Sequence, residues 1–160
     1  MALRNIVTEG DAVLRKHCRE VDQVDDRIRM ILDDMVDTMR DSNGVGLAAP
    51  QVGIMRRMFV AEPEPGQLYH FVNPEIVSVE GSQENEEGCL SVPGYIGLVE
   101  RPERIEIKGL DREGNLQEYT FEGFPAVVMC HEFDHLEGVL YIDKAKEMYE
   151  ITDAPEDSEQ

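Results

Sequence analysis

The sequence is poor in cysteine, poor in basic residues and without a long apolar run, and each shortage closes off a class of protein. Its three cysteines, Cys18, Cys89 and Cys130, are odd in number and irregularly spaced. That is a poor disulfide framework, and it makes a reducing cytoplasm the expected setting. The longest apolar stretch, Phe124 to Cys130, is far shorter than the ~20 residues that span a membrane as a helix. Met1 to Asp11 holds no basic segment followed by an apolar one, so no export signal is read there. Lys and Arg total 15 against 34 Asp and Glu, a net charge of −19. That charge opposes binding to nucleic acid phosphates or to an anionic membrane, and neither is expected as a partner. Its plainest use is solubility; the alternatives are adaptation to high salt or a basic partner.

With 41% hydrophobic and 31% charged residues, the 160-residue chain has the makeup of a soluble globular protein with room for one core. Ile28, Ile31, Leu32, Met35, Val36 and Met39 recur at three- and four-residue intervals, predicting a helix over about Val24 to Met39. Asp25 and Asp26 at its start and Arg40 at its end suit the helix dipole, and Ser42-Asn43-Gly44 should stop it. Met58 to Ala61, Tyr69 to Val72 and Ile76 to Val79 read as strands, the last two separated by a break at Asn73-Pro74. Asp111 to Asn115 reads as the turn of a β-hairpin. A second helix is expected from about Pro125 to Glu137. Cys18 and Cys130 read as small buried hydrophobes, and His17 and His70 as surface or packing residues. Residues 1–150 are expected to be a single catalytic domain. The acidic stretch 151–160 is expected to be a disordered tail.

Within the second helix stands His131-Glu132-Phe133-Asp134-His135, an HExxH pattern. Two histidines four apart share a helix face and can reach one ion, and the glutamate beside them can move protons. A Lewis-acidic ion acidifies water, and a carboxylate can then take the proton. A third protein ligand is needed. Downstream there are acids but no further histidine; upstream lies Glu87-Gly88-Cys89-Leu90-Ser91, whose thiolate is a strong ligand although a lone cysteine is more often packing. A third segment, Gly44-Val45-Gly46-Leu47-Ala48-Ala49-Pro50-Gln51, permits close backbone approach and offers the Gln51 amide to an oxyanion. It lacks the Gly-Lys-Ser/Thr ending of a phosphate loop. The rival readings are a peptide-cleaving metalloprotease and a non-catalytic metal site.

Together, in order and spacing, these three segments closely resemble the motifs of the peptide deformylase family, over the chain from the first helix to about Asp143. The resemblance implies metal-dependent hydrolysis of the N-formyl group from N-formylmethionyl nascent polypeptides, with release of formate. It implies an α+β fold of small antiparallel or mixed sheets packed around a central HExxH helix, with an N-terminal helix. By motif position, Cys89, His131 and His135 would be the metal ligands, Glu132 the general acid/base, and Gln51 and the Leu90 backbone N–H the donors to the formyl oxygen. Val45, Gly46 and Gly88 would hold the substrate backbone as an added strand. Val45, Val127 and Val128 are expected around the methionine side chain. Coordination chemistry alone favours zinc; the resemblance implies one Fe(2+) per chain, with Zn(2+) or Ni(2+) able to occupy the site. It also implies transient ribosome contact. Cys130 stands where the family usually carries glutamine, and the expected consequence is an altered surrounding rather than lost activity. The chain also ends sooner after the metal helix than many family members.

Overall fold

A computed structural model describes residues 2–151, so the acidic stretch 152–160 lies outside the described residues. The first helix, α1, covers Asp26–Asp41. It starts two residues later than the apolar spacing suggested because Asp25 is its cap, the Asp25 carboxylate accepting from the Ile28 N–H at 3.0 Å. Eight strands follow the pattern β1 Gly46–Ala48, β2 Met58–Glu64, β3 Gln67–Glu80, β4 Gln83–Cys89, β5 Val92–Arg101, β6 Arg104–Leu110, β7 Leu116–Glu122 and, after helix α2 (Phe124–Leu136), β8 Glu147–Glu150. They form a five-stranded sheet in the order β1-β2-β3-β6-β7 and a three-stranded sheet in the order β4-β5-β8. Every pairing between these strands is antiparallel.

The break expected at Asn73-Pro74 does not occur: β3 runs through it. Its register against β6 shifts between Val72 and Glu75, and Asn73 takes a positive φ of 52°. Proline has no N–H for the ladder, and a bulge is where a sheet tolerates it. The Asn73 side chain holds the bulge by accepting from the Val21 N–H and donating to the Val21 carbonyl, both at 2.8 Å. The hairpin between β6 and β7 is as expected; the Asp111 carboxylate closes its turn by accepting from the Glu113 and Asn115 N–H groups at 2.9 Å.

The large sheet has an apolar layer on each face, set by the two-residue period of β2. Met58 and Val60 join the α1 cluster with Ile28, Leu32, Met35 and Met39. Phe59 and Ala61 join the α2 cluster with Phe71, Ile105, Ile107 and Met129. A smaller cluster of Leu14, Val92, Val99, Leu140 and Tyr141 lies under the three-stranded sheet. Nine of the thirteen residues of α2 are buried, so the HExxH helix runs through the interior between the two sheets. Among the described residues no helix is long and apolar enough to cross a membrane.

Candidate active site

Three separate segments meet on one side of α2. The α-helical period puts His131 and His135 on the same face, their rings 5.1 Å apart between centroids. Cys89 ends β4, where the register against β5 shifts between Glu87 and Cys89, and the turn residues Leu90-Ser91 then reverse the chain into β5. A bulge re-aims the side chain that follows it. The Cys89 Sγ comes to 3.4 Å from His135 Nε2, and the ligand atoms of Cys89, His131 and His135 all lie within 4.8 Å of one another. The N-terminal segment ties both loops down: the Val7 N–H donates to the Gln51 carbonyl at 2.7 Å and the Glu9 N–H to the Ser91 carbonyl at 2.6 Å.

The donor set fits a divalent transition metal. One thiolate and two imidazoles converge, and His131 gives its Nδ1 to the Glu87 carboxylate at 2.9 Å, which leaves Nε2 for an ion. The buried Glu132 Oε1 has no hydrogen-bond partner among the described residues. A buried carboxylate oxygen left alone is costly, and a water or cation in front of it removes that cost.

Gly46 is glycine for a steric reason. A Cβ there would come within 2.8 Å of the Glu132 carboxyl carbon and 2.9 Å of its Cγ, so the β1 backbone lies directly on the Glu132 side chain. Gly44 is similar, with Leu90 Cδ1 at 2.8 Å from where its Cβ would be. At Gly88, by contrast, a Cβ would make only ordinary contacts, 3.6 Å to Ile96 and 3.7 Å to the Tyr95 carbonyl. Nothing in the chain itself requires glycine at that position, and it faces the cavity.

Gln51 is buried in the short 3-10 turn Ala49–Val52. Its side-chain Oε1 accepts from the Ala48 N–H at 2.9 Å, which fixes the amide with its nitrogen forward. That nitrogen donates to Ser91 Oγ at 3.0 Å and lies 3.6 Å from Cys89 Sγ. A cavity of about 390 Å³ opens from this point. Every residue expected at the site lines it except His135, which lies behind Cys89. Cys130 is not among the lining residues; it is buried in the apolar cluster with Phe59 and Phe71, and burial lifts its thiol to about 11.

Sequence reasoning missed the charges behind the ligands. Arg101, only 3% exposed, donates to both oxygens of Glu87 at 2.8 and 2.9 Å and to Asp134 at 2.7 Å. The available signal was alternation on β5, where Val99 and Arg101 both point inward. Tyr141 was missed as well: its ring stacks on His131 at 6.0 Å.

These neighbours decide the protonation of the site. Burial would raise the Glu87 carboxyl, but hydrogen bonds from Arg101 and His131 overturn that and hold it down at about 2. Burial would lower His131, but its bonds to Cys89 and Glu87 win and raise it to about 10. Burial lifts Glu132 to about 7, with Glu87 and Asp134 adding and His131 and Arg101 opposing. A dication among the ligands would favour the charged carboxylate and the neutral imidazoles, moving these groups back down.

The chain matches the family model described as polypeptide deformylase over residues 3–150. It is 51% identical over 144 residues to peptide deformylase 1 of Clostridium perfringens, a match covering 89% of this chain and 98% of that protein. The crystal structure of peptide deformylase from Thermotoga maritima superposes with a TM-score of 0.89 at 40% identity, over 92% of this chain and all of that one. A class I type b peptide deformylase from Acinetobacter baumannii, solved with Met-Ala-Ser bound, superposes with a TM-score of 0.85 at 35% identity, over 89% of this chain and 98% of that one. The chain belongs to the polypeptide deformylase family, hydrolases that remove the N-formyl group from nascent peptides.

Proposed function

We propose that Cys89, His131 and His135 hold one cation, physiologically Fe(2+), and that Glu132 moves the protons of formamide hydrolysis on N-formylmethionyl peptides. The observation carrying this reading is the meeting of three ligand atoms within 4.8 Å at the end of a cavity that the Glu132 side chain also lines. When bound, the cation would supply Lewis acidity to the formyl carbonyl and to water. Coordination chemistry allows zinc or nickel in the same donor set.

Each residue then has a task. The Glu132 carboxylate takes a proton from the water that attacks the formyl carbon, forming a C–O bond and an oxyanion. The Gln51 amide nitrogen, held forward by the Ala48 N–H, donates to that oxyanion, as does the Leu90 backbone N–H. Removing one such donor costs on the order of a hundred- to a thousandfold in rate. Glu132 returns its proton to the leaving nitrogen as the C–N bond breaks, giving formate and a free methionine amine. The backbone of Val45, Gly46 and Gly88, which line the cavity, holds the peptide as an added strand between the edges of the two sheets. Val45, Val127 and Val128, all lining the cavity, take the methionine side chain. Bound Met-Ala-Ser in the Acinetobacter baumannii relative supports a peptide in this cavity. On this reading residues 1–150 are one catalytic domain, acting in the cytoplasm on nascent chains in transient contact with the ribosome.

The test is formate release from a formylated methionyl peptide, run beside the same peptide without its formyl group. Formate from the first and no reaction with the second is the expected result. Internal cleavage of either peptide would instead make the chain a protease, and no reaction with either would remove the catalytic reading.

A further inference from the structure

Of the apolar groups around the cavity, the proposed chemistry uses Val45 but not Tyr95, Phe124 or Ile151. Four large apolar side chains remain in solvent around it: Val45, Tyr95, Phe124 and Ile151, exposed by 42, 43, 52 and 53%. On so acidic a chain, exposed apolar groups gathered around one opening mark a binding surface. Val45 lies at the reacting end beside Gly46. Ile151 comes from the other end of the sequence, just after β8.

Ile151 is held in place by a chain of fixed contacts. β8 adds to β5 with Leu98 opposite Glu147, Gly97 opposite Met148, Ile96 opposite Tyr149 and Tyr95 opposite Glu150. The ladder is clamped at both ends, where the Lys146 N–H donates to the Leu98 carbonyl at 2.7 Å and the Ile151 N–H to the Gly94 carbonyl at 2.8 Å. Gly97 lets the strand sit this close: a Cβ there would lie 2.6 Å from the Met148 sulfur and 3.0 Å from both Ala145 and Tyr141. Tyr141, whose ring stacks on His131, donates its hydroxyl to the Tyr95 carbonyl at 3.1 Å. The position of β8 is thereby referenced to the metal-ligand helix, as a wall that reads a substrate must be.

We infer that Ile151 is a specificity residue: with Tyr95 it forms the far wall of the substrate cavity and selects apolar side chains in the peptide residues that follow the methionine. The inference rests on the deformylase reading above. An extended peptide advances ~3.3–3.6 Å per residue, so a chain fixed by its formyl group at Glu132 must send its next residues outward along this opening. An apolar side chain there covers Ile151 and loses its own contact with water. An acidic one meets an apolar wall and the exposed Glu86 carboxylate, which lines the same cavity.

The experiment uses the full, metal-loaded chain and two peptides, formyl-Met-Ala-Leu and formyl-Met-Ala-Asp, with formate release giving kcat and KM for each. The unaltered protein should favour the leucine peptide by about tenfold in kcat/KM, the scale of a change in one pocket contact. Ile151→Val, Ile151→Ala and Ile151→Asp should reduce that preference in this order, the last by at least about fivefold, with the change carried by KM. A preference unmoved by all three substitutions, with formate still released, would overturn the role of Ile151 alone. A preference altered through kcat with KM constant would also overturn it, because a wall far from the reacting atoms cannot act that way. Formate from neither peptide with the unaltered protein would bring down the deformylase reading, and this inference with it.

Discussion

One side of α2 sets Ala126, Met129 and Cys130 into an apolar cluster with Phe59, Phe71 and Ile105, while another carries His131, Glu132 and His135 toward Gly46, Glu87 and Cys89. The two sides come from the same thirteen-residue helix and both are buried. On the apolar side any group of similar volume fills the space, because dispersion and water exclusion have no preferred direction. On the polar side each atom needs a particular partner at a particular angle, and an orphan is expensive. Burial therefore says little about tolerance; the chemistry of what is buried decides it.

The sharpest break of that contrast compares two adjacent residues. His131→Ala should lose both bound metal and turnover, since two protein ligands remain. Glu132→Ala should keep the metal while turnover falls at least about a hundredfold. Metal content and formate release on both variants decide the matter. A Glu132→Ala protein without metal would make Glu132 a ligand, and one with most of its turnover would need another base.

Arg101→Met tests whether the charges behind the ligands matter as much as the ligands. It takes both guanidinium bonds from Glu87, while Asp134 keeps Lys144 at 3.1 Å, and removing one partner of a buried pair costs about 3–5 kcal/mol in stability. Metal affinity should fall about 10- to 100-fold, as expected when a group orienting a ligand is lost. Adding Glu87→Gln should recover part of the stability, because it removes the stranded charge. The same network carries an acid dependence. Glu87 is held at about 2 against an ordinary 4.5, so its contribution is present above the ordinary value and is lost as pH falls from 4.5 toward 2. Thermal unfolding across that window should fall less steeply with acid in the Arg101→Met protein; equal slopes would place the sensitivity elsewhere.

Cys130→Ala probes the apolar side. It removes one buried sulfur, with an expected loss of about 1–2 kcal/mol, intact metal content and turnover within about tenfold. Loss of metal would mean that the apolar and polar sides are not separate. The smallest effect is expected from Arg112→Ala, which breaks an exposed pair with Asp33 at 2.8 Å. Denaturation midpoints should not change measurably, since exposed ion pairs are screened by water and salt. A drop comparable to that of Arg101→Met would contradict the distinction between buried and exposed charge.

Local pattern carried much of this protein. The spacing of Ile28, Leu32, Met35 and Met39 announced α1, and the tetrad spacing of His131 and His135 announced a shared helix face. Local pattern failed at Asn73-Pro74, where the strand continues because the Val21 backbone, 52 residues away, satisfies the Asn73 side chain. It was silent on β8, whose Glu-Met-Tyr-Glu sequence has no strong strand signal and pairs with β5 where Gly97 leaves room for Met148.

The sequence by itself determined which residues could do chemistry: an HExxH helix, a cysteine in a glycine-containing turn and a glycine loop ending in glutamine, because ligand type and helical period are properties of residues and short spacings. Tertiary structure decided how they work together. That Glu132 lies on the bare backbone of Gly46, that Arg101 stands behind Glu87 and His131, and that Ile151 reaches the opening of the cavity all depend on which strands pair and how two sheets close on one helix. Those contacts join residues 14 to 86 positions apart, and no local preference encodes a distance through space.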